Sequence, residues 1–178
     1  MIRRAITEAF NTWSEVIPLN FTEVTTAGDI KISFQSKDHG NCPPFDGPGQ
    51  VLAHATEPNG NPSFVHFDDE EYWVYRNENK LRRYPFTDLL NVAIHEIGHT
   101  LGLDHSEADD AIMNAQYNYP FDRYGRYIGG TLREDDIRRI QQLYGSRHSG
   151  ERATTTAPPH FTTWYWGPWF GGEIPDYN

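Results

Sequence analysis

Apolar residues recur at helical spacing from the start of the chain. Ile2, Ala5, Ile6, Ala9, Phe10 and Trp13 share one face, which predicts an amphipathic first helix stopped by Pro18. Residues 19–24 and 30–35 read as strands; in the second, Ile30, Ile32 and Phe34 alternate with polar neighbours, as on a half-buried strand. Gly40, Pro43, Pro44, Gly47, Pro48 and Gly49 make 36–49 a loop. Short strands are expected at 51–55 and 64–67, with a turn at 57–62 and a polar, exposed stretch at 76–83. A second helix starts at Thr87 or Asp88, either able to cap it, and runs through Leu89, Val92, Ala93, Ile94 and Ile97 to Leu101. Gly102 ends it, because glycine accepts the left-handed cap conformation. A third helix is expected from Thr131, with Thr131 and Glu134 as a capping box and Ile137, Ile140, Leu143 and Tyr144 on its inner face, up to Gly145.

Beyond Gly145 the pattern lapses. Residues 153–159 are rich in Thr and Pro, and 164–170 are dense in aromatics and glycine without core-forming periodicity. Residues 1–145 are therefore read as one domain, and 146–178 as a linker and a disordered aromatic-rich tail, dispensable for catalysis.

A chain of 178 residues suits one domain with a buried core plus a tail. Its net charge of −10 argues against a nucleic-acid partner. Acidic residues cluster at 68–71, 109–110 and 134–136, either as solvated surface or as oxygen ligands for a hard cation such as calcium. The lone cysteine, Cys42, excludes an internal disulfide. No stretch has the length and apolarity of a transmembrane segment, and Met1 to Arg4 does not lead into a signal peptide.

The chemistry concentrates between His95 and His105. His95 and His99 lie four residues apart on the second helix, so both rings leave one face and can reach a single ion. Gly102 lets the chain turn back and bring His105 in as a third ligand. Three neutral nitrogens leave a fourth position open for water, as in catalytic zinc sites. Zinc would acidify that water, and Glu96, beside His95, is the expected general base.

This segment, His95-Glu96-Ile97-Gly98-His99-Thr100-Leu101-Gly102-Leu103-Asp104-His105, resembles the extended zinc signature of the metzincins, and Ser106 after the third His resembles the matrix metalloproteinases. The similarity extends through Trp13 to Phe21, Phe45 to Gly49, Leu52 to Ala55, His66 to Asp68, Asp135 to Ile137 and Gln141 to Gly145. It implies an α+β fold: a twisted mixed β-sheet with three α-helices and an active-site cleft. It also implies a zinc endopeptidase that hydrolyses internal bonds of extracellular matrix proteins, secreted or extracellular, with extended protein or peptide substrates and protein inhibitors as partners. Met113 falls at the methionine turn below the zinc ligands. Ala53, on the 51–55 strand, falls where the family pairs with substrate, and Tyr117, Ala115 and Asn91 fall around the pocket for the side chain after the cleaved bond.

The resemblance also implies a structural zinc and calcium. His39, His54 and His66 match three structural zinc ligands, and Asn41 stands where the family has Asp. The site is then either weakened, or closed by Cys42 as a thiolate; otherwise Cys42 is a loop thiol without a role. Asp46, Gly47, Gly49, Val51, Asp68 and Glu71 match a calcium site, and Asp29 belongs to a second one that looks incomplete. The family's cysteine-bearing propeptide and first, interior strand have no counterpart, so the sheet is expected to lack a strand and the chain to be a fragment that folds poorly alone.

Overall fold

A computed structural model of the chain describes residues 1–58, 62–147 and 162–167. The elements run α1 (Ile2–Ser14), β1 (Thr22–Glu23), β2 (Ile30–Gln35), β3 (Ala53–Ala55), β4 (Ser63–Asp68), β5 (Trp73–Val74), α2 (Glu78–Leu81), β6 (Thr87–Asp88), α3 (Leu89–Thr100), α4 (Glu134–Tyr144) and β7 (Thr163–Trp166). The main sheet has the order β1-β7-β2-β4-β3, parallel except for the antiparallel edge strand β3. The fold is α+β with a mixed sheet, as the sequence pattern and resemblance implied.

The apolar stripe of α1 packs as its spacing predicts. Ile2, Ala5, Ile6, Ala9, Phe10 and Trp13 are all buried. Trp13 Nε1 donates to Ile94 O at 3.0 Å, so the indole is satisfied while its body fills the α1–α3 contact. The sheet contributes Ile30, Ile32, Phe34, Val65 and Phe67 to the same core. α3 packs its buried face into this core, and it carries His95 and His99.

The interior strand expected to be missing is supplied from the other end of the sequence. Thr163–Trp166 lies between β1 and β2 and pairs in parallel with both: Thr22 faces Thr163, and Ile30 faces Trp164. Thr22 N donates to Thr162 O at 2.8 Å, Val24 N to Trp164 O at 2.8 Å and Gly167 N to Ile32 O at 2.7 Å. Asp29 orders the start of the strand, since its Oδ2 accepts from Thr162 N at 3.1 Å, Thr163 N at 2.9 Å and Thr163 Oγ1 at 2.6 Å. Asp29 is thereby engaged in a role other than the calcium ligand suggested for it. Trp164 is buried and its ring stacks on Phe10 at 5.1 Å. A side chain at Gly28 would come within 3.0 Å of the Tyr165 ring and 3.2 Å of the Trp164 carbonyl carbon, so glycine permits the close pass. The expectations of an incomplete sheet and of a tail without structure are therefore corrected at 162–167. The Thr/Pro-rich stretch 153–159 and Trp169 lie outside the described residues.

Smaller corrections concern element ends. The first strand shrinks to Thr22–Glu23, and the polar stretch 76–83 contains the single turn α2, capped by Asn77 Oδ1 accepting from Lys80 N at 3.1 Å. The last helix starts at Glu134, not Thr131; its N-cap is Arg133, whose backbone N donates to Oδ2 of Asp136 in the first turn at 2.9 Å.

Candidate functional site

Local sequence explains how α3 presents its histidines. Asp88 caps the helix, with Oδ1 accepting from Leu90 N at 3.1 Å. At the far end Gly102 takes φ 93°, and the chain closes with Gly102 N donating to His99 O at 2.9 Å and Leu103 N to Gly98 O at 3.0 Å. That is the paired hydrogen bonding of a glycine-terminated helix. It reverses the chain so that His105 returns to the helix face: the His105 ring centroid is 5.3 Å from that of His95 and 4.8 Å from that of His99. One ligand atom from each of His95, His99 and His105 lies within 4.8 Å of the others.

The donor set fits a metal ion. His95 Nδ1 contacts Ile112 O at 2.8 Å and His99 Nδ1 contacts Leu103 O at 2.7 Å. A carbonyl only accepts, so both Nδ1 atoms carry the proton and both Nε2 atoms present lone pairs. Those two Nε2 atoms are 3.0 Å apart, an arrangement that repels unless a cation lies close to both. Burial and the neighbouring imidazoles push His95 down to about 4, keeping it a neutral ligand at physiological pH.

Glu96 lies one residue on, buried, and lines the same cleft. Burial pushes its carboxyl up to about 8. A dication beside it favours the carboxylate and opposes that shift.

Beneath the site, Met113 is fully buried. A Cβ on Gly98 would come within 3.1 Å of the Met113 methyl carbon and 3.0 Å of the Trp13 ring, so Gly98 is the gap that lets the helix sit on the methionine. Asp136 holds this turn from α4: its carboxylate accepts from Ile112 N at 2.9 Å and Met113 N at 3.1 Å. Asp135 accepts from Ser106 Oγ at 2.6 Å, next to His105. In the sequence these acids stood out as an acidic cluster and as part of the family similarity, not as supports of the site. Two adjacent carboxylates before an amphipathic run, one of them fully buried, are the signal that identifies them as supports of the site.

The cleft of about 600 Å³ runs between β3 and α3 and is lined by Ala53, His95, Glu96, Asn91, Ala115 and Tyr117 among others. Among the described residues β3 pairs with β4 alone, and its other edge lines the cleft. Asn91 spans two loops, donating to Asn118 O at 3.3 Å and accepting from Gly130 N at 2.7 Å. Tyr117 Oη accepts from Asp88 N at 3.1 Å, which ties the pocket wall to the start of α3.

His39, His54 and His66 form a second cluster with Cys42, again with ligand atoms within 4.8 Å of one another. Burial and the facing imidazoles push His54 down to about 4 and His66 to about 3. Asn41 is exposed. In the group matched to calcium, Asp68 and Glu71 are buried and both carboxyls are raised by burial and by the neighbouring carboxylates, Asp46 included. Asp68 Oδ2 is buried with no hydrogen-bond partner. Val51 N donates to Asp46 Oδ1 at 3.4 Å, and Glu71 Oε1 accepts from Gly49 N.

Asp88 makes stability depend on pH. It is fully buried and accepts from Tyr127 Oη at 2.6 Å, with Arg76 and Glu8 as the nearest charges. Burial dominates and pushes it up to about 6 from 3.8. The folded state thus holds this proton more tightly than the unfolded chain. Its stabilising contribution is complete below the unfolded value and is lost as pH rises through about 6. Asp88→Asn keeps an acceptor for the helix and cannot ionise. From pH 4 to 7 the wild type should therefore lose about 2 kcal/mol relative to this variant. Melting curves of the two that stay parallel across that range would contradict the assignment.

Residues 1–145 match the family described as Matrixin. The chain is 49% identical over 147 residues to matrix metalloproteinase-C of Caenorhabditis elegans, covering 82% of this chain and 25% of that protein. It is 44% identical over 146 residues to stromelysin-3 of Homo sapiens, covering 81% and 27%. It is 39% identical over 162 residues to interstitial collagenase A of Mus musculus, covering 90% and 32%. The chain thus spans less than half the length of these relatives. A family match over this extent, on a chain whose helix and returning loop bring three histidines together, makes the protein a member of the matrixin family of zinc metalloendopeptidases.

Proposed function

We propose that the chain hydrolyses internal peptide bonds of extended protein substrates, with His95, His99 and His105 holding zinc and Glu96 as general base. The observation that carries this reading is the convergence of three ring nitrogens beside a buried carboxylate on the floor of a cleft edged by a free strand. Zinc held there supplies Lewis-acid polarisation of a carbonyl and a more acidic water. Glu96 accepts the proton of the attacking water and returns it to the departing amine. The Ile112 and Leu103 carbonyls hold the His95 and His99 rings in the tautomer that binds metal. Ala53 and its neighbours on β3 offer backbone groups to an extended peptide, and Ala115, Asn91 and Tyr117 shape the pocket for one of its side chains.

Extracellular matrix protein as substrate, and an extracellular place of action, draw support from the names of relatives, an interstitial collagenase among them. Calcium at Asp46, Asp68 and Glu71, with the carbonyls of Gly47, Gly49 and Val51, draws support from the orphaned Asp68 oxygen and the mutual repulsion of buried carboxylates. Mass spectrometry of an unfolded protein digested by the chain tests the reading. Internal cuts are expected; release of single residues from either end would contradict it.

A further inference from the structure

We propose that Cys42 is the fourth ligand of the second metal centre, making it a closed Cys·His₃ site. The inference rests on the reading that His39, His54 and His66 hold a metal, and it concerns what completes their shell.

The imidazoles alone already call for a cation. His39 Nδ1 meets Lys37 O at 2.7 Å, so its proton lies there and Nε2 is a bare acceptor. That Nε2 lies 3.1 Å from His54 Nε2, which lies 3.2 Å from His66 Nδ1. A proton on His54 Nε2 can point at only one of its two neighbours and leaves the other acceptor without a donor, and a proton on His66 Nδ1 instead leaves His39 Nε2 and His54 Nε2 as two facing lone pairs. A metal ion satisfies all three nitrogens together.

Three neutral nitrogens leave one position of a tetrahedral ion open, and structural zinc sites are closed. The residue at the position of the family's carboxylate, Asn41, is exposed. Among the described residues no Asp or Glu joins this group; Cys42 does, with its sulfur within 4.8 Å of a nitrogen from each histidine. Ligand atoms about 2.0–2.3 Å from one ion are spaced in this way. Alternate facing, which would turn neighbours 41 and 42 in opposite directions, applies to strands. Here the segment is a loop. Gly40, at φ 95°, bends the chain back toward the histidines, and Phe45 N closes the loop onto Lys37 O at 3.0 Å. The walls are aromatic: Phe45 stacks on His39 and on His54 at 4.7 Å, and Phe64 on His66 at 4.3 Å.

The chemistry suits the exchange. A thiolate brings the negative charge that Asn41 cannot, and it is a soft ligand favoured by zinc. Binding releases the thiol proton to solvent, so the metal replaces it on sulfur.

Cys42 is the single cysteine of the chain, which makes the test unambiguous. The chain of residues 1–178 is loaded with cobalt in place of zinc, and its near-ultraviolet spectrum and bound metal are measured. A sulfur-to-cobalt charge-transfer band is expected, with about two ions retained per chain after mild chelation. Cys42→Ser should abolish the band and leave about one ion. Cys42→Asp should restore the second ion without the band, whereas Asn41→Ala should change neither. Two retained ions with no charge-transfer band in the unaltered chain would overturn the proposal, whether or not the variants fold. One retained ion with no such band would overturn it as well. Peptidase activity of the same preparation reports separately on the catalytic site, so failure of one reading does not mask the other.

Discussion

Replacing Glu96 by alanine is expected to lower kcat/KM toward a small peptide by about 10²–10⁴, the usual effect of losing a positioned general base. Zinc should remain bound, because Glu96 is absent from the converging ligand group. The loss should fall on kcat more than on KM, since Glu96 acts on the proton in flight and not on substrate docking. His99→Ala should behave differently. It removes one of the two α3 ligands, so metal content and activity should fall together. Metal analysis beside steady-state kinetics separates the two cases. A Glu96→Ala enzyme that keeps near wild-type turnover would remove the proposed base from the mechanism.

A chain ending at Arg147 is expected to lose cooperative folding. It would lack β7, which pairs on both sides within the main sheet, and with it the burial of Trp164 against Phe10. Truncating a buried tryptophan to alanine alone costs about 3–5 kcal/mol. Domains have only about 5–15 kcal/mol in total, so losing Trp164 together with two ladders should consume most of that margin. The backbone groups of Thr22, Val24 and Ile32 would also lose their partners. Trp164→Ala in the full chain is the milder form and should lower the melting midpoint while leaving the fold detectable. A peptide spanning 160–170 added to the shortened chain should restore cooperative melting, because the slot is bounded by β1 and β2 whether or not the strand is tethered. Equal melting midpoints for the shortened and full chains would refute the role given to β7.

The helix that carries His95 and His99 was legible because its information is local. The spacing of His95, Glu96 and His99, and the glycine that ends the turn, act within eleven residues. The stripe of α1 was legible for the same reason: burial of Ile2 to Trp13 follows from period alone. The strand β7 was not, and the cause is physical. Thr163–Trp166 has no alternation, follows a linker-like composition, and takes its described backbone pairing from residues more than 130 positions earlier. No local window holds that information. The grouping of Cys42 with the three histidines was not legible, because it depends on how a loop with Gly40 at φ 95° folds back. The start of α4 was assigned to a Thr131–Glu134 box, whereas the N-cap is Arg133 and the carboxylate that bonds back to it is Asp136, whose second task, holding the Met113 turn, depends on a contact between loop and helix.

The catalytic reading is tested most directly by one measurement. The full chain is loaded with zinc and calcium and incubated with an internally quenched peptide, before chelation, after it, and after zinc is restored. Cleavage is expected at an internal bond, lost with zinc and regained when zinc alone is returned. A folded, zinc-replete chain that leaves the peptide intact, or cleavage that continues at the same rate without metal, would contradict the assignment of His95, His99, His105 and Glu96.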